Sequence, residues 1–161
     1  MNAAESLKAS VLFSGLDSGQ SGRLADIGRE TAAAAGEFIF KIGTEADKLH
    51  IIISGSVELT FPLLVMGEIK DVRFQTLENG RALAWSALVP PHILTMSARA
   101  ATDATLYSFT RDRVLALWRE DPRMGLVVMT NLARVIGSRL HEAQALWVRE
   151  LQRNVSETYR G

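Results

Sequence analysis

Apolar residues recur along this chain with two different periods, and the change of period divides it into three parts. Leu7, Val11 and Leu12 stand at helical spacing before Phe13-Ser14-Gly15-Leu16 interrupts them, which predicts a short helix and a turn. Asp17 is followed three positions later by Gln20, the spacing of a capping box. Leu24 and Ile27 then continue a stripe that ends near Gly28, a second short helix. From Gly36 the texture changes to short runs rich in Ile, Val, Phe and Thr. Glu37 to Lys41, Leu49 to Ile53 and Val57 to Phe61 read as strands in a meander of hairpins, with Gly43 to Asp47 and Ser54-Gly55 at the reversals. A further pair is predicted around Met66 to Thr76, with Gly67 in its turn, and another over Thr95 to Ala100 and Thr105 to Phe109.

Between these pairs, Leu77 to Leu88 runs from a turn into an alanine- and leucine-rich stretch that reads as a short helix, stopped by Pro90-Pro91. After the last strand the helical period returns. Arg111 to Glu120 forms one helix, and Asp121-Pro122 supplies a cap and a first-turn proline for the next. Leu132, Ile136, Leu140, Ala143, Trp147, Leu151 and Val155 keep a single stripe going almost to the end. A helix from Pro122 to Val155 is about 50 Å long, more than a small domain can cover. The simplest cover is the same helix of a second copy, so a homodimer through the C-terminal helix is expected. Ala133 and Gly137 either permit close approach of that partner or fit against the subunit's own strands.

Composition narrows the class. With 161 residues, 47% hydrophobic and 22% charged, the chain matches one ordinary globular domain. Lysine plus arginine equals aspartate plus glutamate at 18 each and neither sign forms a block, which gives no support to polyanion binding. Cysteine is absent, so disulfides and thiolate chemistry are excluded. The first twelve residues lack a signal-peptide pattern and no stretch approaches a membrane span, so a cytoplasmic location without membrane association is expected.

No catalytic pattern stands out along the chain. His50, His92 and His141 are far apart, and Ala145 stands where a zincin motif beginning at His141-Glu142 needs its second histidine. Glu45 and Asp47 lie in a turn, where solvation is the simpler reading. Arg134, Arg139, Arg149, Arg153 and Arg160 alternate with Glu142, Glu150 and Glu157, which reads as a solvated helix face. Neither an enzyme nor a metal site is expected.

The order of elements, with Leu12-Phe13-Ser14-Gly15-Leu16, Ala35-Gly36-Glu37-Phe38-Ile39-Phe40, Gly43, Ala46-Asp47, Leu49 and Ile53 to Leu59, resembles the cyclic-nucleotide-binding domain of catabolite-activator-type regulators, kinase regulatory subunits and gated channels. The resemblance runs from about Leu12 to Leu140. It implies a mainly β fold with flanking α elements: a double-stranded β-helix, or jelly-roll-like β-roll, over 36–110, N-terminal helices over 1–35 and dimerising helices over 111–161. It also implies a phosphate-binding cassette, approximately Phe-Gly-Glu-x-Ala-Leu followed by Arg-Ser/Thr-Ala.

On that pattern Leu83-Ala84-Trp85-Ser86-Ala87-Leu88 occupies the first part and Leu94-Thr95-Met96 the second, with Gly80 as the preceding turn glycine. The family's ribose-binding glutamate corresponds to Trp85 and its phosphate-binding arginine to Leu94. Arg99 is the nearest substitute, of opposite strand parity to Leu94, and Arg81 lies on the turn side. Losing the arginine alone weakens a phosphate contact by roughly tenfold to a hundredfold. Amides near Trp85 to Ala87 and the hydroxyls of Ser86 and Thr95 remain as donors.

Trp85 either stacks on a ligand or plugs a retired pocket. Two functions therefore stay open. One is a sensor for a different, less charged ligand held by Gly80, Leu83, Ala84, Trp85, Ser86, Ala87, Leu94, Thr95 and Met96, with a cyclic nucleotide bound weakly or not at all. The other is a ligand-free dimeric interaction module. In relatives that bind DNA a helix-turn-helix domain follows the long helix, and direct DNA binding is not expected here.

Overall fold

The computed structural model describes residues 7–159. Eight strands form two four-stranded antiparallel sheets. They are β1 (Arg29–Ala33), β2 (Phe38–Phe40), β3 (Lys48–Ser54), β4 (Val57–Val65), β5 (Glu68–Leu77), β6 (Ala82–Leu83), β7 (Ser97–Ala100) and β8 (Ala104–Thr110). One sheet runs β1-β8-β3-β6 and the other β2-β7-β4-β5, so the chain passes back and forth between sheets as a β-roll. Among the described residues only β4 and β5 pair as neighbours in sequence, joined at Met66-Gly67, where both residues have positive φ and the two-residue turn matches the twist of the strands. The expected meander of hairpins gives way elsewhere to long-range pairing, because the apolar faces of β3 and β8 need to close against each other and against helices.

Among the described residues three complete α-helices flank the roll: α1 (Ser18–Ile27), α2 (Arg111–Glu120) and α3 (Pro122–Thr158). The capping box of α1 is present, with Asp17 Oδ1 accepting from the Gln20 amide at 2.8 Å and Gln20 Oε1 accepting from the Asp17 amide at 3.2 Å. Gln20 Nε2 also donates to Asp121 Oδ2 at 3.0 Å, while Asp121 Oδ1 caps α3 by accepting from the Met124 amide. One glutamine thus fastens the starts of two helices together. The segment assigned to the N-terminal helices, 1–35, also contains β1 after the helix that ends near Gly28, and its exposed Arg29-Glu30-Thr31-Ala32 carries no apolar alternation; its pairing with β8 decides its conformation.

The core has two compartments. Ile52, Val57, Leu59, Leu83, Ala98 and Leu106 come from both sheets and fill the space between them. Leu49, Ile51 and Phe109 face the other way and join Leu7, Leu12, Phe13, Leu24, Val114, Leu117, Met124, Val128 and Leu132 of the helical segments. Each fully buried leucine or isoleucine contributes about 1.5–3 kcal/mol by removal from water, which outweighs the weak propensity of the short strands. The α3 helix is held by this second compartment only as far as Leu132 and Ile136. Beyond it Leu140, Trp147, Leu151 and Val155 are exposed, as the stripe in the sequence implies. A Cβ on Gly137 meets open space and Ala133 is exposed, so neither packs on the subunit's own strands. No helix among the described residues is long and apolar enough to cross a membrane.

One polar chain enters the space between the sheets. Thr31 Oγ1 and Ser108 Oγ are 2.8 Å apart, Ser108 Oγ is 2.8 Å from His50 Nδ1, and Phe40 stacks on the His50 ring. Burial, with a smaller push from Lys48 and against the pull of Asp47, lowers the His50 pKa from 6.5 to about 4. The folded state therefore binds this proton less readily than the unfolded chain, so the stability it confers is complete above pH 6.5 and drains away as pH falls towards about 4. Urea titrations at neutral pH and near pH 4.5 should show a loss of up to about 3 kcal/mol, much reduced in His50→Gln. An equal loss in the variant would assign the acid sensitivity to other groups.

Candidate functional site

The cassette begins where the turn after β5 is stitched to β3: the Gly80 amide donates to Ile52 O at 2.8 Å and the Ile52 amide to Arg81 O at 3.0 Å. Gly80 takes φ +78, a conformation that costs glycine nothing. β6 then delivers Leu83 into the interior of the roll, opposite His50. Ala84 follows with φ 56 and ψ 37, in the left-handed region, where the resembled pattern has glycine. The expected helix is a single 3-10 turn over Trp85–Leu88, in which the Ala87 amide donates to Ala84 O at 2.9 Å. The segment is too short for a regular helix because Pro90-Pro91 closes it.

The second half of the cassette is pinned by backbone rather than by a strand. The Leu94 amide donates to Thr44 O, Gly43 N to Leu94 O and Ala46 N to His92 O, and β7 starts only at Ser97, two residues later than Thr95. Leu94 is buried among Ala46, Ala84 and Ala87, with Phe40 packed on the group. Six of the nine residues singled out from the sequence, Ala84, Trp85, Ser86, Leu94, Thr95 and Met96, surround one void together with Phe40, Leu59 and Arg139. Gly80, Leu83 and Ala87 do not line it. The void measures about 20 Å³, room for roughly one water molecule.

Trp85 is half-buried and packs towards the helical compartment of the core. Arg99 Nη2 donates to Glu58 Oε2 at 3.1 Å on the neighbouring strand and stays out of the void, as its strand parity implies. The residue that does enter is one the sequence assigned to a solvated face. Arg139 lies four residues beyond Val135 and seven beyond Leu132, on the inner side of α3, and its Nη2 donates to Ala82 O at 3.1 Å. Its Nε is buried without a partner, and burial followed by the charge of Arg81 holds the guanidinium below its ordinary pKa, with Glu142 opposing. The signal that finds Arg139 is the continuation of the Val128, Leu132, Val135 spacing, which overrides the alternation of charge.

Four larger cavities lie among the described residues: one of about 270 Å³ touches Ala84 and Leu94 and has Glu45, Asp47, Lys48 and His50 in its wall, and one of about 290 Å³ lies on Gln75 to Glu78, Asn79 and Arg81. The other two lie elsewhere. One of about 510 Å³ opens at the mouth of the roll between β1, β8, β3 and β2, with Thr31, Ser108 and His50 in its wall. Another of about 310 Å³ lies between the turn before β6, the N-terminal segment and α3. Among the described residues no three His, Asp or Glu side chains gather as a metal site.

An antiparallel β-roll with a turn-glycine cassette between β6 and β7 and a long helix packed beside it is the fold of a cyclic nucleotide-binding domain. The sequence profile of the cyclic nucleotide-binding domain matches residues 30–121, and the chain belongs to that family. A putative cyclic nucleotide-binding protein from Geobacter metallireducens superposes with a TM-score of 0.72 at 26% identity, covering 87% of this chain and 99% of that one. The catabolite activator protein of Thermus thermophilus gives 0.71 at 27% identity, covering 84% of this chain and 60% of its own. The N-terminal domain of a transcriptional regulator from Streptomyces coelicolor gives 0.72 at 20% identity, over 86% and 94%. No curated protein matches the sequence.

Ala84 stands in a conformation that disfavours every residue with a Cβ by roughly 1–2 kcal/mol, partly offset on replacement by the greater chain entropy of glycine. Ala84→Gly should therefore raise the unfolding free energy by a few tenths to about 1 kcal/mol in denaturant titration. A clear loss would mean that the methyl packing against Leu94 outweighs the backbone strain.

Proposed function

We propose that this protein is a non-enzymatic regulatory module of the cyclic nucleotide-binding domain family whose cassette does not take up a cyclic nucleotide and whose output is carried by α3. The observation that carries the reading is the closed cassette. Small-molecule pockets are about 300–1,000 Å³, more than tenfold the about 20 Å³ enclosed by Trp85, Leu94 and their neighbours, and the cavity of about 270 Å³ that also touches Ala84 and Leu94 has the carboxylates of Glu45 and Asp47 in its wall, which disfavour a phosphate. The space in which the family's arginine receives a phosphate is filled by the isobutyl group of Leu94, and admitting a charged phosphate there without a partner carries a heavy desolvation cost. The comparisons support a regulatory role: the relatives are described as a catabolite activator, a cyclic nucleotide-binding protein and a transcriptional regulator domain.

Calorimetric titration with cyclic AMP and cyclic GMP tests the first half. No heat of binding is expected from the unaltered protein, with recovery in a Leu94→Arg, Trp85→Glu double variant. Micromolar binding by the unaltered chain overturns the reading, since it requires the cassette to reopen without its charged anchors.

The second half rests on α3, about 55 Å long at 37 residues, with Leu140, Trp147, Leu151 and Val155 exposed on one stripe. Pairing of this stripe with that of a second copy supports a twofold dimer. Light scattering coupled to gel filtration should give twice the mass of the chain, and Trp147→Glu with Leu151→Glu should give the monomer with unchanged circular dichroism per residue. A monomer at micromolar concentration before substitution would sink the dimer.

A further inference from the structure

The cavity behind the cassette is built from charge of one sign. Arg81 reaches it from the turn before β6, and Arg134 and Arg139 reach it from successive turns of α3. Ser138 adds a hydroxyl, while Val11 and Val135 give it an apolar wall, and no residue lining it carries a carboxylate. None of the ion pairs among the described residues includes any of the three arginines. The nearest acid along the helix, Glu142, has Oε2 at 3.5 Å from Gln75 Nε2 and acts on Arg139 only as the smallest of the influences on its pKa, without an ion pair. Arg134 Nη1 donates to Asn131 Oδ1 at 3.2 Å and Arg139 Nη2 to Ala82 O, which fixes the two guanidiniums and leaves the buried Nε of Arg139 unpartnered.

Three like charges around a partly desolvated space are mutually unfavourable unless an anion joins them. The guanidiniums arrive from two segments in different directions. A carboxylate offers one planar pair of oxygens and matches a single fork, whereas a phosphate monoester presents three equivalent oxygens and two charges to three donors. A cyclic phosphodiester has one charge and two free oxygens and fits less well.

We infer that this cavity binds a small phosphomonoester, its phosphate held by Arg81, Arg134 and Arg139 and its organic part lying on Val11 and Val135. A volume of about 310 Å³ suits a ligand of modest size. The site shares Gly80 and Arg139 with the edge of the cassette but is a separate cavity from the void beside Trp85 and Leu94, so it goes beyond the reading of the previous subsection and does not require a cyclic nucleotide to be taken up or refused there. Arg134, Val135 and Ser138 also fall on a different side of α3 from Ala133, Gly137 and Leu140, so pairing of the exposed stripe leaves the opening free.

The test is calorimetric titration of the full chain, in a buffer without phosphate or sulfate, with phenyl phosphate and with inorganic phosphate. Phenyl phosphate should saturate at sub-millimolar concentration and be weakened tenfold or more by Arg81→Gln and by Arg134→Gln, both exposed positions, with Arg149→Gln on the distal helix unchanged. The proposal is overturned if phenyl phosphate fails to saturate by about 10 mM, or if it binds the Arg81 and Arg134 variants as tightly as the unaltered chain. Saturation by inorganic phosphate with phenyl phosphate excluded would remove the organic part of the assignment.

Discussion

Strand β8 has to satisfy two apolar surfaces at once, and the rest of the molecule is arranged around that requirement. Leu106 points between the sheets while Phe109 points at the helices, and the strand pairs with β1 on one side and β3 on the other. Alternation of side chains along one strand therefore sets both compartments of the core and the position of the helices that close them. The Tyr107 hydroxyl, which donates to Ala25 O at 2.7 Å, ties the same strand to the end of α1. Thr110 ends the strand and stands at the N-cap position of α2, without a capping bond from its side chain, so strand and helix meet without a loop.

The cassette inherits its geometry from this frame. Its turn is bonded to β3, its second half to the loop before β3, and Arg139 of α3 to the carbonyl at its start. A polar site preserved on such a frame needs charged side chains to hold it open against the collapse of its own apolar walls. Here the positions that would supply them carry Leu94 and Trp85, and the walls meet. Positive charge has not left the neighbourhood; it sits one layer outward, on the turn and on the helix.

Much of this was legible in the sequence, for physical reasons that differ from element to element. The capping box at Asp17 and Gln20, the Asp121-Pro122 restart and the long stripe on α3 are local signals, and each appears in the structure within a residue or two. The core strands were visible through β-branched runs. β1 was not, because Arg29 to Ala33 is a polar and alanine-rich edge whose conformation comes from its partner. Strand pairing was misread as a meander for the same reason: register between distant segments leaves no mark on either segment alone. Among the site residues, the six that meet at the void came from the resemblance, whereas Arg139 was hidden by a charge pattern that looked solvated although its spacing placed it inward.

The α3 helix is anchored to the roll as far as Arg139 and Glu142 and exposed along the turns that follow. A rigid rod held along part of its length converts small rotations at the anchor into larger displacements at the tip: tilting by about 5° at Glu142 moves Val155 by roughly 2 Å at about 1.5 Å rise per residue. Side-chain rearrangements too slight to alter the roll are thereby magnified to the scale on which one protein surface distinguishes another.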